Sequence, residues 1–246
     1  MRKRIKVSQV ILSYVASSTW LVLTRAPGMR FAENGQRHAQ RMLSVLQVNV
    51  TTRGSLPSGG AVVANHLSYL DIIVLMAALP CRFVTFTEMR SMPGIGLLVG
   101  LSRTLLVNRS RPGRVKEDIR LVTEALHAPV PVVFFPEGAS FDGDFLRPFR
   151  PALFAAVAAA GAPLNPCCLR YTDLEGESVT TANRHRLYYF GDMNLVGQLW
   201  SLINTKSISV ELVCNPPIET QEQGRKELAE LSHTIICRDF LPVVPV

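Results

Sequence analysis

No two of the five cysteines (Cys81, Cys167, Cys168, Cys214 and Cys237) stand in a C-x-x-C arrangement, and their number is odd. A disulfide framework or a cysteine zinc centre therefore has no basis. The thiols read as small buried hydrophobes of a reducing compartment. The five histidines are equally scattered, so neither a metal cluster nor a bound cofactor is expected. Internal repeats and low-complexity tracts are also lacking, which excludes solenoids and disordered linkers. A series of long apolar spans is missing too, although mean hydropathy is +0.20. A protein that touches a membrane without living inside it fits both facts.

Acidic residues are scarce at the start. Residues 1–53 hold nine basic side chains and one acid, Glu33, whereas the remainder carries 17 basic against 18 acidic groups. A nucleic-acid binder spreads its charge along a readable face. Here the charge flanks apolar sequence, which points to anionic lipid and away from a nucleic-acid partner.

What is present begins with a basic cluster, Met1–Lys6, and an apolar-leaning stretch, Val7–Leu23, interrupted by serines. It is weaker than the roughly 20 strongly apolar residues that span a bilayer comfortably. A secretory signal would share the basic start, but no small-x-small cleavage site follows and four arginines come instead. The expectation is a retained, partly inserted helix. Phe31–Leu46 then repeats apolar residues opposite Arg37 and Arg41, the pattern of a helix at a lipid surface or of a helix docked on a core. The chain thus divides into a membrane-associating helical hairpin, residues 1–47, and a domain over 48–246. Trp20 and Trp200 suit a lipid interface, whereas Tyr188 and Tyr189 suit the core.

Beyond Val48, short apolar runs alternate with helical patterns. The runs predict strands at Ala61–Ala64, Arg82–Phe86, Thr104–Val107, Val130–Phe135, Leu164–Leu169, Leu187–Phe190 and Ile208–Val213. Val115, Ile119, Val122 and Leu126 recur at helical spacing, and Pro151 opens an Ala-rich helix that Gly161 closes. The alternation implies an α/β fold, a mainly parallel sheet flanked by helices.

Three constellations leave strands on the same edge. Asn65, His66 and Asp71 follow Ala61–Ala64. Residues five apart on one helix differ by about 140°, so His66 meets Asp71 only from the turn before the helix. A carboxylate on one imidazole nitrogen frees the other as a general base. Phe135, Pro136, Glu137 and Gly138 form the second, a tight turn presenting Glu137 at the strand's carboxyl end, where open α/β sheets bind ligands. The third is a strand ending in Arg109, a residue type suited to grip a phosphate or carboxylate.

In this order the three resemble the motifs of the lysophosphatidic acid acyltransferase family of glycerolipid acyltransferases. Asn65, His66 and Asp71 match its Asn-His-x-x-x-x-Asp motif, Arg109 ends its second block, and Phe135 to Gly138 match its Phe-Pro-Glu-Gly block. Pro163 and Pro166 match a fourth, Pro-rich block. The resemblance runs from about residue 45 to 215. It implies transfer of a fatty acyl group from acyl-CoA or acyl carrier protein to a lysolipid hydroxyl, on the cytoplasmic face of a bacterial inner membrane. His66, oriented by Asp71, would be the base. Asn65, Arg109, Glu137 and Gly138 would bind substrate, and backbone N–H groups near Gly138 would receive the oxyanion.

Where the family usually continues with Thr-Arg, this chain has Ala139 and Ser140. That variant resembles the branch containing lyso-ornithine lipid acyltransferases, with Arg147 or Arg150 as substitute cations. Two alternatives stand beside this reading: a lipid hydrolase with Ser68 as nucleophile, and a non-catalytic membrane-binding pseudoenzyme.

Overall fold

The computed structural model describes residues 2–92, 95–108 and 112–246. Two antiparallel-packed helices come first, α1 (Arg2–Leu23) and α2 (Gly28–Leu46). Strands and helices then follow as β1 (Val48–Arg53), β2 (Ala61–Ala64), α3 (Leu70–Ala78), β3 (Arg82–Phe86), α4 (Ile95–Leu101), β4 (Leu105–Val107), α5 (Val115–Leu126) and β5 (Val132–Phe134). The chain ends with α6 (Phe154–Ala160), β6 (Leu164–Leu174), α7 (Leu195–Asn204), β7 (Ile208–Cys214) and α8 (Arg225–Asp239).

The sheet has seven strands in the order β1-β7-β6-β2-β5-β3-β4. Every pairing is parallel except β6 with β7. The mainly parallel sheet expected from the strand–helix alternation is therefore present. The sheet's centre, β2, is buried along its whole length, as a parallel strand covered on both faces must be. Its side chains alternate between two cores. Val62 and Ala64 face the layer containing Leu43, Val74 and Leu75, while Ala61 and Val63 face Val122, Phe154 and Leu228.

Two local expectations change. Leu187–Phe190 is not a strand. Its amides bond backward within a turn and to the loop after β2: Leu187 N and Tyr188 N donate to Arg184 O, and Tyr189 N donates to Leu67 O at 2.9 Å. The run is apolar because Leu187 and Tyr188 plug the core, not because it pairs in the sheet. Conversely Val48–Arg53, whose outer half is polar, is a strand because the edge of β7 offers it a parallel partner. The Ala-rich helix ends as expected at Gly161 in a left-handed cap, φ +58°.

Of the two fates open to α2, the structure adopts docking. Gln36 donates to the carbonyls of Ala77 and Ala78, and Gln40 to that of Ala77, tying α2 to the end of α3. A Cβ on Gly35 would stand 3.1 Å from Met76 Sδ, so the helices approach as closely as a glycine permits. The apolar face of α2 is thus covered by protein. The outward apolar surface belongs to α1, where Ile5, Leu12, Trp20 and Leu23 are exposed.

Candidate active site

The loop between β2 and α3 carries His66, and Asp71 sits in the first turn of α3. His66 Nδ1 and Asp71 Oδ2 are 2.8 Å apart. Asp71 is fully buried, yet its charge is met from four sides: the amides of Leu67 (2.6 Å) and Ser68 (2.8 Å) also reach Oδ2, and the Tyr171 hydroxyl donates to Oδ1. A buried carboxylate without such donors would be prohibitive. The same bonds hold the turn before α3, so the group that orients His66 also builds the loop presenting it. Burial, then the Asp71 charge, push the Tyr171 phenol well above its ordinary pKa, keeping it a donor.

An ionised carboxylate only accepts, so Nδ1 is the nitrogen that donates to Asp71, and Nε2 points away from it. It has no hydrogen bond among the described residues. The imidazole stacks on Phe135 with ring centroids 4.0 Å apart, and its side chain retains 15% exposure. The ring is held on one nitrogen and one face and open at the other nitrogen.

The loop after β5 meets this loop because β5 pairs with β2 in parallel, so both carboxyl ends emerge side by side. The chain then crosses β2 to reach β6 on its other flank, which makes this the switch point of the sheet. Glu137 is 3% exposed and turned inward. Its Oε1 accepts the His66 amide at 2.7 Å and its Oε2 the Arg147 amide at 3.0 Å. The Phe141 amide donates to His66 O at 3.2 Å, closing the clasp from the other side. Burial pushes the Glu137 carboxyl up to about 7 against the two amides that favour its charge.

The structure gives the other expected site residues backbone partners. Glu137 fastens the loop of His66 through both carboxylate oxygens. Asn65 is also fully buried, and its amide is bound to one backbone unit, donating to Leu169 O at 2.9 Å and accepting from Leu169 N at 2.7 Å. It braces β2 against β6. Gly138 has φ +82°, and a Cβ there would lie 3.1 Å from Arg150 Nε. Its own amide closes a turn onto Phe135 O at 3.1 Å, so the backbone amides near Gly138 without a backbone partner among the described residues are those of Glu137, Ala139 and Ser140. Arg109 lies outside the described residues.

Ser68 is fully buried and its hydroxyl donates to Leu187 O at 2.7 Å, which withdraws the nucleophile that the hydrolase reading needs. Arg150 is exposed beside Gly138, and the Arg147 guanidinium lies 4.3 Å over Phe145 and 4.8 Å over Phe141.

Tyr171 had no local signal. It reaches Asp71 because β6 is 11 residues long against four for β2 and continues past the carboxyl edge of its neighbour. No described residues form a cluster of three or more His, Cys, Asp or Glu suited to a metal.

Residues 47–170 match the family model described as Acyltransferase. The chain is 33% identical over 160 residues to a 1-acyl-sn-glycerol-3-phosphate acyltransferase of Neisseria gonorrhoeae, covering 64% of this chain and 60% of that protein. It is 32% identical over 190 residues to a lyso-ornithine lipid O-acyltransferase of Brucella abortus, covering 73% of this chain and 71% of the relative. A protein of the same description from Pseudomonas aeruginosa is 30% identical over 222 residues, covering 86% and 82%. In fold, the chain is similar to the crystal structure of a 1-acyl-sn-glycerophosphate acyltransferase from Thermotoga maritima, with a TM-score of 0.64, 16% identity and coverage of 97% and 96%.

Proposed function

The chain belongs to the acyltransferase family, and from that premise we propose that it moves a fatty acyl group from a thioester to the hydroxyl of a lysolipid, with His66 as general base. The observation that carries this reading is the His66–Asp71 pair, bonded at Nδ1 and open at Nε2.

In the proposed step, His66 Nε2 takes the hydroxyl proton while the oxygen attacks the thioester carbonyl. Electrons move onto the carbonyl oxygen, where the Ala139 and Ser140 amides are the candidate donors; such donors contribute about 2.7–4 kcal/mol each. The tetrahedral centre collapses, the carbon–sulfur bond breaks, and the imidazolium returns its proton to the departing thiolate. The products are an ester and a free thiol, with no acyl-enzyme. The burial of Ser68 suits such a direct transfer. The donor is acyl-CoA or acyl carrier protein, since either supplies the same thioester.

Names of relatives divide between phosphate-bearing and ornithine-bearing acceptors. Both head groups contain an anion, a phosphate or a carboxylate. Arg150, at the rim beside Gly138, and Arg147 are the cations placed to meet it, as an arginine fork can.

The enzyme works at a membrane in this reading. Lys3–Leu23 is long and apolar enough to cross a bilayer by length and composition. Its exposed Ile5, Leu12 and Leu23 share one stripe, with Trp20 beside them. Val196, Leu199 and Trp200 of α7 are exposed too, and Arg4 of α1 lies 3.7 Å over the Trp200 ring. The positive hairpin and the lipid relatives support attachment to the cytoplasmic face of a bacterial inner membrane.

The test incubates detergent-solubilised protein with radiolabelled acyl-CoA or acyl carrier protein and a lysolipid panel, beside a His66→Ala control. Label moving to lysophosphatidic acid or lyso-ornithine lipid names the acceptor. If no acceptor takes label in a His66-dependent way with either donor, the proposal fails.

A further inference from the structure

Two sets stand out among the basic side chains of the N-terminal region. One set is occupied by the fold. Lys3 Nζ donates to the carbonyls of Leu46 and Thr205, and Arg4 covers Trp200 and donates to Asn204 Oδ1 at 3.3 Å. Arg53 pairs with Asp239 at 2.8 Å and Glu211 at 3.6 Å. These cations fasten elements together.

The other set is not. Lys6, Arg37 and Arg41 converge from two helices on one open groove of about 650 Å³ between α1 and α2. None of the three has an acidic partner within 4 Å among the described residues. Glu33, the single acid of the first 53 residues, stands one turn before Arg37 without forming an ion pair to it. Three like charges lining one groove favour an anion there. Gln9, Gln40 and Ser44 line the same groove and supply neutral hydrogen-bonding groups between the cations.

Its surroundings indicate what that anion is. On α1, Gln9 stands three residues before Leu12 and four after Ile5, the spacing of neighbours on a helix surface. The groove therefore shares an edge with the exposed apolar stripe of α1. A ligand seated there is anionic at one end and apolar at the other.

We propose that this groove is a binding site for the head group of an anionic membrane phospholipid, separate from the acceptor site at His66. The proposal rests on the membrane attachment argued above and specifies its chemistry: phosphate against Lys6, Arg37 and Arg41, acyl chains along Ile5 and Leu12. The volume suits one head group, since small-ligand sites occupy about 300–1,000 Å³. This site sets which lipid surface the enzyme occupies, independently of which lipid it acylates.

The test is co-sedimentation of the full chain with vesicles of phosphatidylcholine, and with vesicles in which a third of it is phosphatidylglycerol. The double variant Arg37→Gln/Arg41→Gln is compared with Arg25→Gln/Arg30→Gln, which removes the same charge from the tip of the same hairpin. Each cation near an anionic surface contributes about fivefold in binding. The groove variant is expected to lose on the order of 25-fold of the phosphatidylglycerol preference. The tip variant should lose less than about threefold, and Arg37→Lys/Arg41→Lys should retain most of the preference. Equal losses in both double variants would mean diffuse surface attraction and overturn the site. So would an unchanged preference in the groove variant, or no preference in the parent chain. His66-dependent label transfer in detergent, measured on the same variants, keeps the two readings apart: it should survive Arg37→Gln/Arg41→Gln, and His66→Ala should leave the lipid preference intact.

Discussion

The carboxylate of Glu137 holds the backbone N–H of His66 at 2.7 Å, and through its second oxygen the backbone N–H of Arg147 at 3.0 Å. One buried side chain thus joins the loop after β2 to the loop after β5, and the position of the imidazole depends on a residue that does not touch it. Replacing Glu137 by Gln leaves one oxygen for two amides and turns an NH2 group toward a donor. Acyl transfer should fall at least tenfold, with kcat reduced more than KM. An acceptor-binding Glu would instead show mainly in KM.

The same carboxyl gives a pH dependence. Its pKa rises on folding from the ordinary 4.5 to about 7, chiefly through burial. Below 4.5 both states are protonated and its contribution to stability is full. Between 4.5 and about 7 the unfolded chain gives up a proton that the folded chain keeps, so stability declines as pH rises through that window. The loss is about 3 kcal/mol at most, at ~1.4 kcal/mol per unit. Denaturant melts at a series of pH values should show it, and Glu137→Gln should flatten the curve.

Tyr171→Phe removes the donor to Asp71 Oδ1 and leaves the rest of the dyad in place. A buried charge short of one partner costs about 1–3 kcal/mol. Thermal unfolding should shift accordingly, and kcat should drop roughly tenfold as the imidazole loses its fixed support. An unchanged pH–rate profile and kcat would show that Tyr171 serves the fold alone.

Asn65→Ala opens both hydrogen bonds to Leu169 inside the sheet. Two buried backbone groups lose partners, a cost of about 2–6 kcal/mol. The acceptor KM of the protein that remains folded should not change, whereas a substrate-binding Asn would raise it severalfold.

Ser68→Ala separates direct transfer from a hydrolase. The hydroxyl donates to Leu187 O at 2.7 Å and accepts from the Leu70 amide at 3.2 Å, so the substitution should cost about 1–3 kcal/mol in stability and less than about threefold in transfer rate. Loss of a nucleophile would lower the rate by several orders of magnitude.

The sequence by itself determined those features that depend on near neighbours along the chain. Ala61–Ala64 and Arg82–Phe86 are strands with the expected bounds, because a short apolar run flanked by turn residues encodes its own period. The four residues between His66 and Asp71 place one in the turn and the other in the first helical turn, a matter of helix geometry alone. Tertiary structure decided what each polar side chain faces. Asn65 and Glu137 belong to the motifs and look like ligand-binding groups, yet Asn65 turns to Leu169 of β6, and Glu137, in the loop after β5, turns to the amides of His66 and Arg147. Tyr171 joins Asp71 across 100 residues because a long strand overhangs a short one. Leu187–Phe190 has the composition of a strand and becomes a plug, since its amides find Arg184 and Leu67 before any sheet edge. Strand neighbours are chosen by packing between distant segments, and no spacing within one segment records that choice.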